Sequence, residues 1–154
     1  MQKSPTARVK LGDFGLSKFL REGQKLRSIC GTWAYSAPEM RQRGRPGYGF
    51  KVDMWSVGII MFIMLSGYHP FDPRGVAEPK RVMADMKKGK FDFNDEAWEG
   101  VSSQARDLIE QLIVVDPAHR LSAAAALHHP WLKVGSGLMP VSLADVHVGC
   151  CAFL

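Results

Sequence analysis

Few of the 154 residues are of types that do chemistry, and most of those stand alone. His128 and His129 are adjacent and could suggest a metal centre. No cysteine or acid lies at ligand spacing from them, so they read as a helix end leading into an apolar Pro130-Trp131 anchor. The three cysteines are Cys30, Cys150 and Cys151. Adjacent cysteines do not pair readily and Cys30 is remote, so this is no disulfide framework; a reducing compartment is expected, cytoplasmic with access to the nucleus. Cys30 is a candidate redox-sensitive thiol. The last four residues, Cys151-Ala152-Phe153-Leu154, fit the C-a-a-X prenylation pattern, and a terminal Leu favours geranylgeranyl. Cys150 would supply a second, palmitoyl anchor, and stable membrane attachment takes two signals. Against the anchor, no polybasic run precedes it and Phe153 is bulky; the alternative is a tail with incidental cysteines. Asp13 and Thr32 remain, a carboxylate and a hydroxyl that by themselves suit a turn cap and a local backbone hydrogen bond.

The chain is long enough for one domain with a real core, and 46% hydrophobic, 23% charged residues are globular proportions. The net charge of +5 is scattered, with small clusters at Arg41, Arg43, Arg45 and at Lys87, Lys88, Lys90. No aromatic residues alternate with these to stack on bases, so a solvated basic face is expected and no nucleic-acid partner. Residues 1–10 are polar and basic, unlike a signal peptide. Met54–Phe71 carries no formal charge, but its strongly apolar part is only Val57–Leu65, which suits a buried helix and not a membrane span.

These residues need a scaffold. Residues 7–11 alternate apolar and basic and read as a short strand cut off by Gly12. Residues 13–39 show no sustained period and read as a long ordered loop, and such loops are usually functional. Residues 40–50 read as a surface connection. Asp53 is the expected cap of a helix through Ser66. Every residue from Val57 to Leu65 except Gly58 is large and apolar, so that helix is expected to be surrounded on all sides. A helix over 79–88 buries Val82, Met83 and Met86 and stops at Gly89. Ser102 or Ser103 caps the next, with Ala105, Leu108, Ile109, Leu112 and Ile113 on one face, and Asp116-Pro117 ends it. Ser122 caps a last helix, 123–128. Residues 134–154 show no period. The domain is mainly α, with one strand remnant at its start, which suggests a piece of a larger fold.

Asp13-Phe14-Gly15 and Ala37-Pro38-Glu39 bracket the long loop, as they bracket the activation segment of protein kinases. Between them, Gly31-Thr32-Trp33-Ala34-Tyr35-Ser36 resembles the substrate-facing loop of serine/threonine kinases. Asp53-Met54-Trp55-Ser56-Val57-Gly58, Gly67-Tyr68-His69-Pro70-Phe71, Asp116-Pro117 with Arg120, and His129-Pro130-Trp131 follow in the family's order. The chain therefore resembles the C-terminal lobe of a serine/threonine protein kinase, truncated, with a helical bundle around a buried central helix. The resemblance covers about residues 7–133; the partial domain it implies is 1–133, divided into an activation segment, 13–39, and a helical part, 40–133, and residues 134–154 are a tail. Cys30-Gly31-Thr32, Gly67 to Phe71 and Lys88-Gly89-Lys90 look most like the calcium/calmodulin-dependent kinase group.

The resemblance implies roles. Asp13 matches the Mg²⁺ ligand, with Phe14 a packing residue that reports active or inactive states and Gly15 the flexible turn beside it. Thr32 matches a hydroxyl that orients the catalytic base. Ser28 matches the activation-loop phosphosite, a target for an upstream kinase, and Lys18 the basic residue that contacts its phosphate. Glu39 and Arg120 match a buried ion pair; Asp53 and Trp55 are structural. Ile63 stands where an acid often reads a basic substrate residue. ATP and Mg²⁺ are implied for the parent kinase, as are protein substrates; membrane contact follows only from lipidation. A Gly-rich loop, a strand lysine and a His-Arg-Asp loop do not occur in these residues. Met1 is thus expected to be an internal methionine of a longer parent, and this chain to bind no ATP productively. Two readings stand: a piece of an active kinase, or a non-catalytic module that keeps the substrate-docking surface.

Overall fold

The computed structural model describes residues 10–21, 23–42, 44 and 47–134. Its regular structure is helical: α1 (Lys51–Ser66), α2 (Pro79–Lys88), α3 (Ser103–Leu112), α4 (Ala123–Ala126) and α5 (Pro130–Val134), with short 3-10 turns at Phe14–Leu16, Pro38–Arg41 and Glu96–Trp98. Among the described residues the β pairing is limited to two isolated antiparallel bridges, Leu26 with Tyr48 and His69 with Asp72. The strand expected over 7–11 is corrected where it can be seen. Lys10 and Leu11 lie in no strand, and a strand without a partner edge is not stable; residues 7–9 lie outside the described residues.

Two backbone turns lead into α1: the Val52 N–H donates to the Gly49 carbonyl and the Asp53 N–H to that of Phe50, both at 3.2 Å. Those bonds occupy N–H groups that a side-chain cap would otherwise take. Phe50 is accordingly the N-cap, with no side-chain bond, and Asp53 sits inside the first turn of the helix. This corrects the expected capping role, although a carboxylate there still meets the positive end of the helix dipole.

Helix α1 buries Val52, Trp55, Ile59 and Phe62. Trp55 stacks on Phe71 at 6.0 Å with ring planes 2° apart. Phe62 is ringed by Tyr68, Phe91, Phe93 and Trp98, and the Trp98 indole N–H donates to the Tyr68 hydroxyl. A second, smaller core joins Leu108 and Leu112 of α3 to Ala126 and to Met54 and Val57. A Cβ on Gly58 would lie 2.8 Å from Ile113 Cγ1 and 2.9 Å from Leu112 Cβ, so glycine is what lets the end of α3 approach α1. The expectation that α1 is covered on all sides fails at Met64, which is 80% exposed. The elements packed on α1, chiefly α3 and the Glu96–Trp98 turn, reach only part of its circumference.

Ser102 caps α3 by accepting the Ala105 N–H at 3.2 Å, and Ser122 caps α4 through Ala125. Helix α4 stops at Ala126, short of the expected 128. The His128 ring takes the Ala124 carbonyl at 2.8 Å, and that acceptor is the one a continuing helix would need. Among the described residues no helix is long and apolar enough to cross a membrane.

Candidate functional site

The far end of the 13–39 segment is anchored by charge. Arg120 and Glu39 are buried, with side chains 0% and 4% exposed. Nη1 donates to Glu39 Oε1 at 2.7 Å and Nη2 to Oε2 at 3.0 Å, a bidentate fork. The remaining donors reach the carbonyls of Val114, Lys51 and Val115. All five guanidinium N–H groups are thereby used, and the guanidinium lies 5.2 Å from the centre of the Trp55 ring. The sequence places these residues far apart; here Arg120 joins the segment end, the start of α1 and the turn after α3.

Immediately before Glu39, the Gly31–Ser36 loop is held by its carbonyls. Arg41 Nη2 reaches the Gly31 carbonyl at 3.4 Å. The Ser36 hydroxyl donates to Thr32 at 3.0 Å, and the Tyr35 N–H donates to the same oxygen. The Ser56 hydroxyl, from α1, donates to Tyr35 at 2.9 Å. His69 Nε2 lies 3.0 Å from the Ala34 carbonyl, and its Nδ1 accepts the Phe71 N–H at 3.2 Å. An accepting Nδ1 leaves the ring proton on Nε2, so the imidazole donates to Ala34. Burial holds the ring below the ordinary histidine value of 6.5, outweighing the Ala34 carbonyl and the Asp72 carboxylate, which push it up. Arg41, Ser56 and His69 were not singled out by sequence reasoning. The available signal was polar character in apolar surroundings, since a half-buried hydroxyl or ring must find partners.

At the other end, Asp13 adopts φ 55° and ψ 68°, the one non-glycine positive φ among the described residues. Aspartate tolerates this region better than most residues. The following turn closes through Ser17, whose N–H and hydroxyl both donate to the Phe14 carbonyl. Asp13, Phe14 and Gly15 are all exposed. As a lone exposed carboxylate, Asp13 fits one oxygen ligand of a Mg²⁺ that takes the rest of its shell from phosphate and water. Among the described residues there is no group of three or more His, Cys, Asp or Glu able to hold a metal by itself. When bound, such an ion neutralises phosphate charge. No hydrogen bond joins Asp13 to Thr32 among the described residues.

Lys18 Nζ lies 3.4 Å from the Ser28 hydroxyl, both side chains exposed. The Ser28 backbone is pinned behind them. Leu26 and Tyr48 exchange backbone bonds at 2.9 Å, and the Tyr48 hydroxyl donates to the Ser28 carbonyl. Gly47, at φ 107°, permits this pairing, because a Cβ there would come within 2.5 Å of the Leu26 oxygen.

The histidine pair is structural. His129 Nδ1 accepts the Trp131 N–H, and Nε2 donates to Asp107 Oδ2 at 2.8 Å, locking α5 to α3. That bond, followed by one from Gln111, holds the Asp107 carboxyl below its usual range. Asp107 lies 22 residues from His129, which is why ligand spacing did not reveal it. Cys30 is half-buried in the segment; Cys150 and Cys151 lie outside the described residues.

Comparison with known proteins gives a consistent picture. The protein kinase domain family model matches residues 1–132. Calcium-dependent protein kinase 21 of Arabidopsis thaliana is 41% identical over 133 residues, covering 86% of this chain and 24% of that protein. Myosin light chain kinase A of Dictyostelium discoideum is 42% identical over 81% of this chain and 41% of its own length. Calcium/calmodulin-dependent protein kinase type I of Schizosaccharomyces pombe is 42% identical over 85% of this chain and 38% of its own. The chain thus spans about a quarter of the length of its plant relatives.

Proposed function

This chain belongs to the protein kinase domain family, and from that premise we propose that it carries the substrate side of a serine/threonine kinase whose parent form transfers the ATP γ-phosphate to serine or threonine of protein substrates. The observation that carries the reading is the clamped Gly31–Ser36 loop, four of whose carbonyls are held by hydroxyl, guanidinium and imidazole donors. A loop ordered in advance presents its outward groups to an extended peptide at little entropic cost. The Glu39–Arg120 fork fixes that loop against α1.

In the parent form, Asp13 holds Mg²⁺ and the Thr32 hydroxyl orients a catalytic base that these 154 residues do not include. An upstream kinase phosphorylates Ser28. The added charge, about −1.5 to −2, is received by Lys18 and orders the segment. By itself the 154-residue chain binds no ATP productively and transfers no phosphate, since positioning and electrostatic stabilisation are missing together. A second reading, a non-catalytic binding module, is favoured by the four described clamps on the loop, which come from residues of this chain; both readings share that surface. We place the protein in the cytoplasm on its cysteine usage.

The test is a form of the protein that also carries a His-Arg-Asp loop. It should transfer label from γ-labelled ATP to a protein serine or threonine, and Asp13→Ala should abolish transfer. Transfer that survives Asp13→Ala would overturn the proposal. Activity unchanged by Ser28→Ala would remove the phosphosite.

A further inference from the structure

His69 ties the substrate-facing loop to the turn after α1: one ring nitrogen bonds the loop and the other is fixed within the turn. Nε2 donates to the Ala34 carbonyl, at the centre of the loop, and Nδ1 accepts the Phe71 N–H, two residues further along its own turn. The ring is wedged edge-on to Tyr35, at 6.5 Å, and against Phe71, at 6.0 Å. Phe71 is itself stacked on Trp55 of the core, so the imidazole is referenced to buried rings. A cleft of about 440 Å³ opens beside it, lined by Trp33, Ala34, Asp72, Arg74 and Val82 among others, which gives the ring access to solvent protons.

We propose that His69 is a positioning residue that clamps the Gly31–Ser36 loop as a neutral imidazole and lets it go when protonated. The inference rests on the reading of that loop as substrate-facing. Two bonds of opposite sense admit only the neutral Nε2–H tautomer. Adding a proton to Nδ1 would set it as a donor against the Phe71 N–H, with no acceptor for either. The Ala34 bond alone would survive protonation and even strengthen; the Phe71 amide is what excludes the imidazolium from this seat. The charged and titratable groups around the ring are few: Asp72 favours the cation, Arg74 and Tyr68 line the cleft beside it, and Tyr35 packs edge-on from the loop. Desolvation outweighs the Asp72 carboxylate, so the neutral ring persists below pH 6.5, the ordinary histidine value.

The experiment is ring ¹⁵N NMR with amide hydrogen exchange on the full 154-residue chain and its His69 variants. The native ring should show a bare Nδ1, a protonated Nε2 and titration below 6.5. His69→Ala should speed exchange of the Tyr35 and Ser36 amides about fivefold to tenfold, the size of one lost hydrogen bond, while Leu112 and Ile113 stay unchanged. His69→Gln, which keeps a donor for Ala34 but does not titrate, should retain protection and abolish its loss at acid pH. Ordinary titration near 6.5, a protonated Nδ1 at neutral pH, or Tyr35 and Ser36 exchange that does not respond or rises only with that of the core would each overturn the clamp. If His69→Ala loosens the loop yet leaves KM for protein substrate unchanged in an active longer form, the clamp stands and the substrate-facing reading falls.

Discussion

At the scale of single residues, the strongest determinant is the Arg120 fork. A buried guanidinium with every donor used tolerates no missing partner, and removing one side of such a pair costs about 3–5 kcal/mol. Glu39→Ala and Arg120→Ala should each lower the unfolding free energy by that order in denaturant titration. The double variant should cost clearly less than the sum, because the second deletion removes a charge already stranded by the first. Single losses below about 1 kcal/mol, the scale of a surface pair, would contradict the geometry. His69 adds a pH signature. Its folded value lies below the unfolded 6.5, so the unfolded chain takes up the proton first. Its contribution to stability is complete above pH 6.5 and declines as pH falls below that value, until the folded ring also protonates. His69→Gln should flatten this window. Asp107, also depressed, acts in a separate window, below its ordinary 3.8, and is too exposed to matter much.

At the scale of elements, the contact between α1 and α3 is the most extensive. Gly58→Ala drives a methyl into Ile113 and Leu112 and should cost about 1–3 kcal/mol by overpacking. Ser102→Ala should cost about 1 kcal/mol, by loss of the Ala105 cap. Denaturation midpoints check both, and an unchanged midpoint for Gly58→Ala would mean the helices are not so close. What the sequence made legible here was local. Ser122 as a cap, Ser102 as one of two candidates, the 79–88 limits of α2 and the apolar face of α3 follow from spacing within one or two turns. Asp53 misled because α1 starts earlier, at Lys51 after the Phe50 cap, which puts Asp53 inside the first turn and not before it. His69 to Ala34 and His129 to Asp107 were illegible because they join residues 35 and 22 apart, and only the fold brings them together. The roles of Asp13, Thr32 and Ser28 came from resemblance, since a lone carboxylate or hydroxyl in a loop has no pattern of its own.

At the scale of the molecule, a core packed and clamped around Trp55 and Arg120 stands beside large apolar side chains left in water. Leu11 is 74%, Phe19 91%, Ile29 61% and Met64 80% exposed. Each large side chain left in water forfeits roughly 1.5–3 kcal/mol, so a few together approach the 5–15 kcal/mol of a typical domain. The 154-residue chain should therefore bind a hydrophobic dye while folded; a soluble monomer with a sharp thermal transition and no dye binding would contradict this. The central proposal is that the chain holds the substrate side of a kinase without the equipment for ATP. The direct measurement is label transfer from γ-labelled ATP by the 154-residue chain alone, with Mg²⁺ and a general protein substrate. The expected result is no transfer above that seen without protein. Transfer that is present in the native chain and vanishes in Asp13→Ala would contradict it.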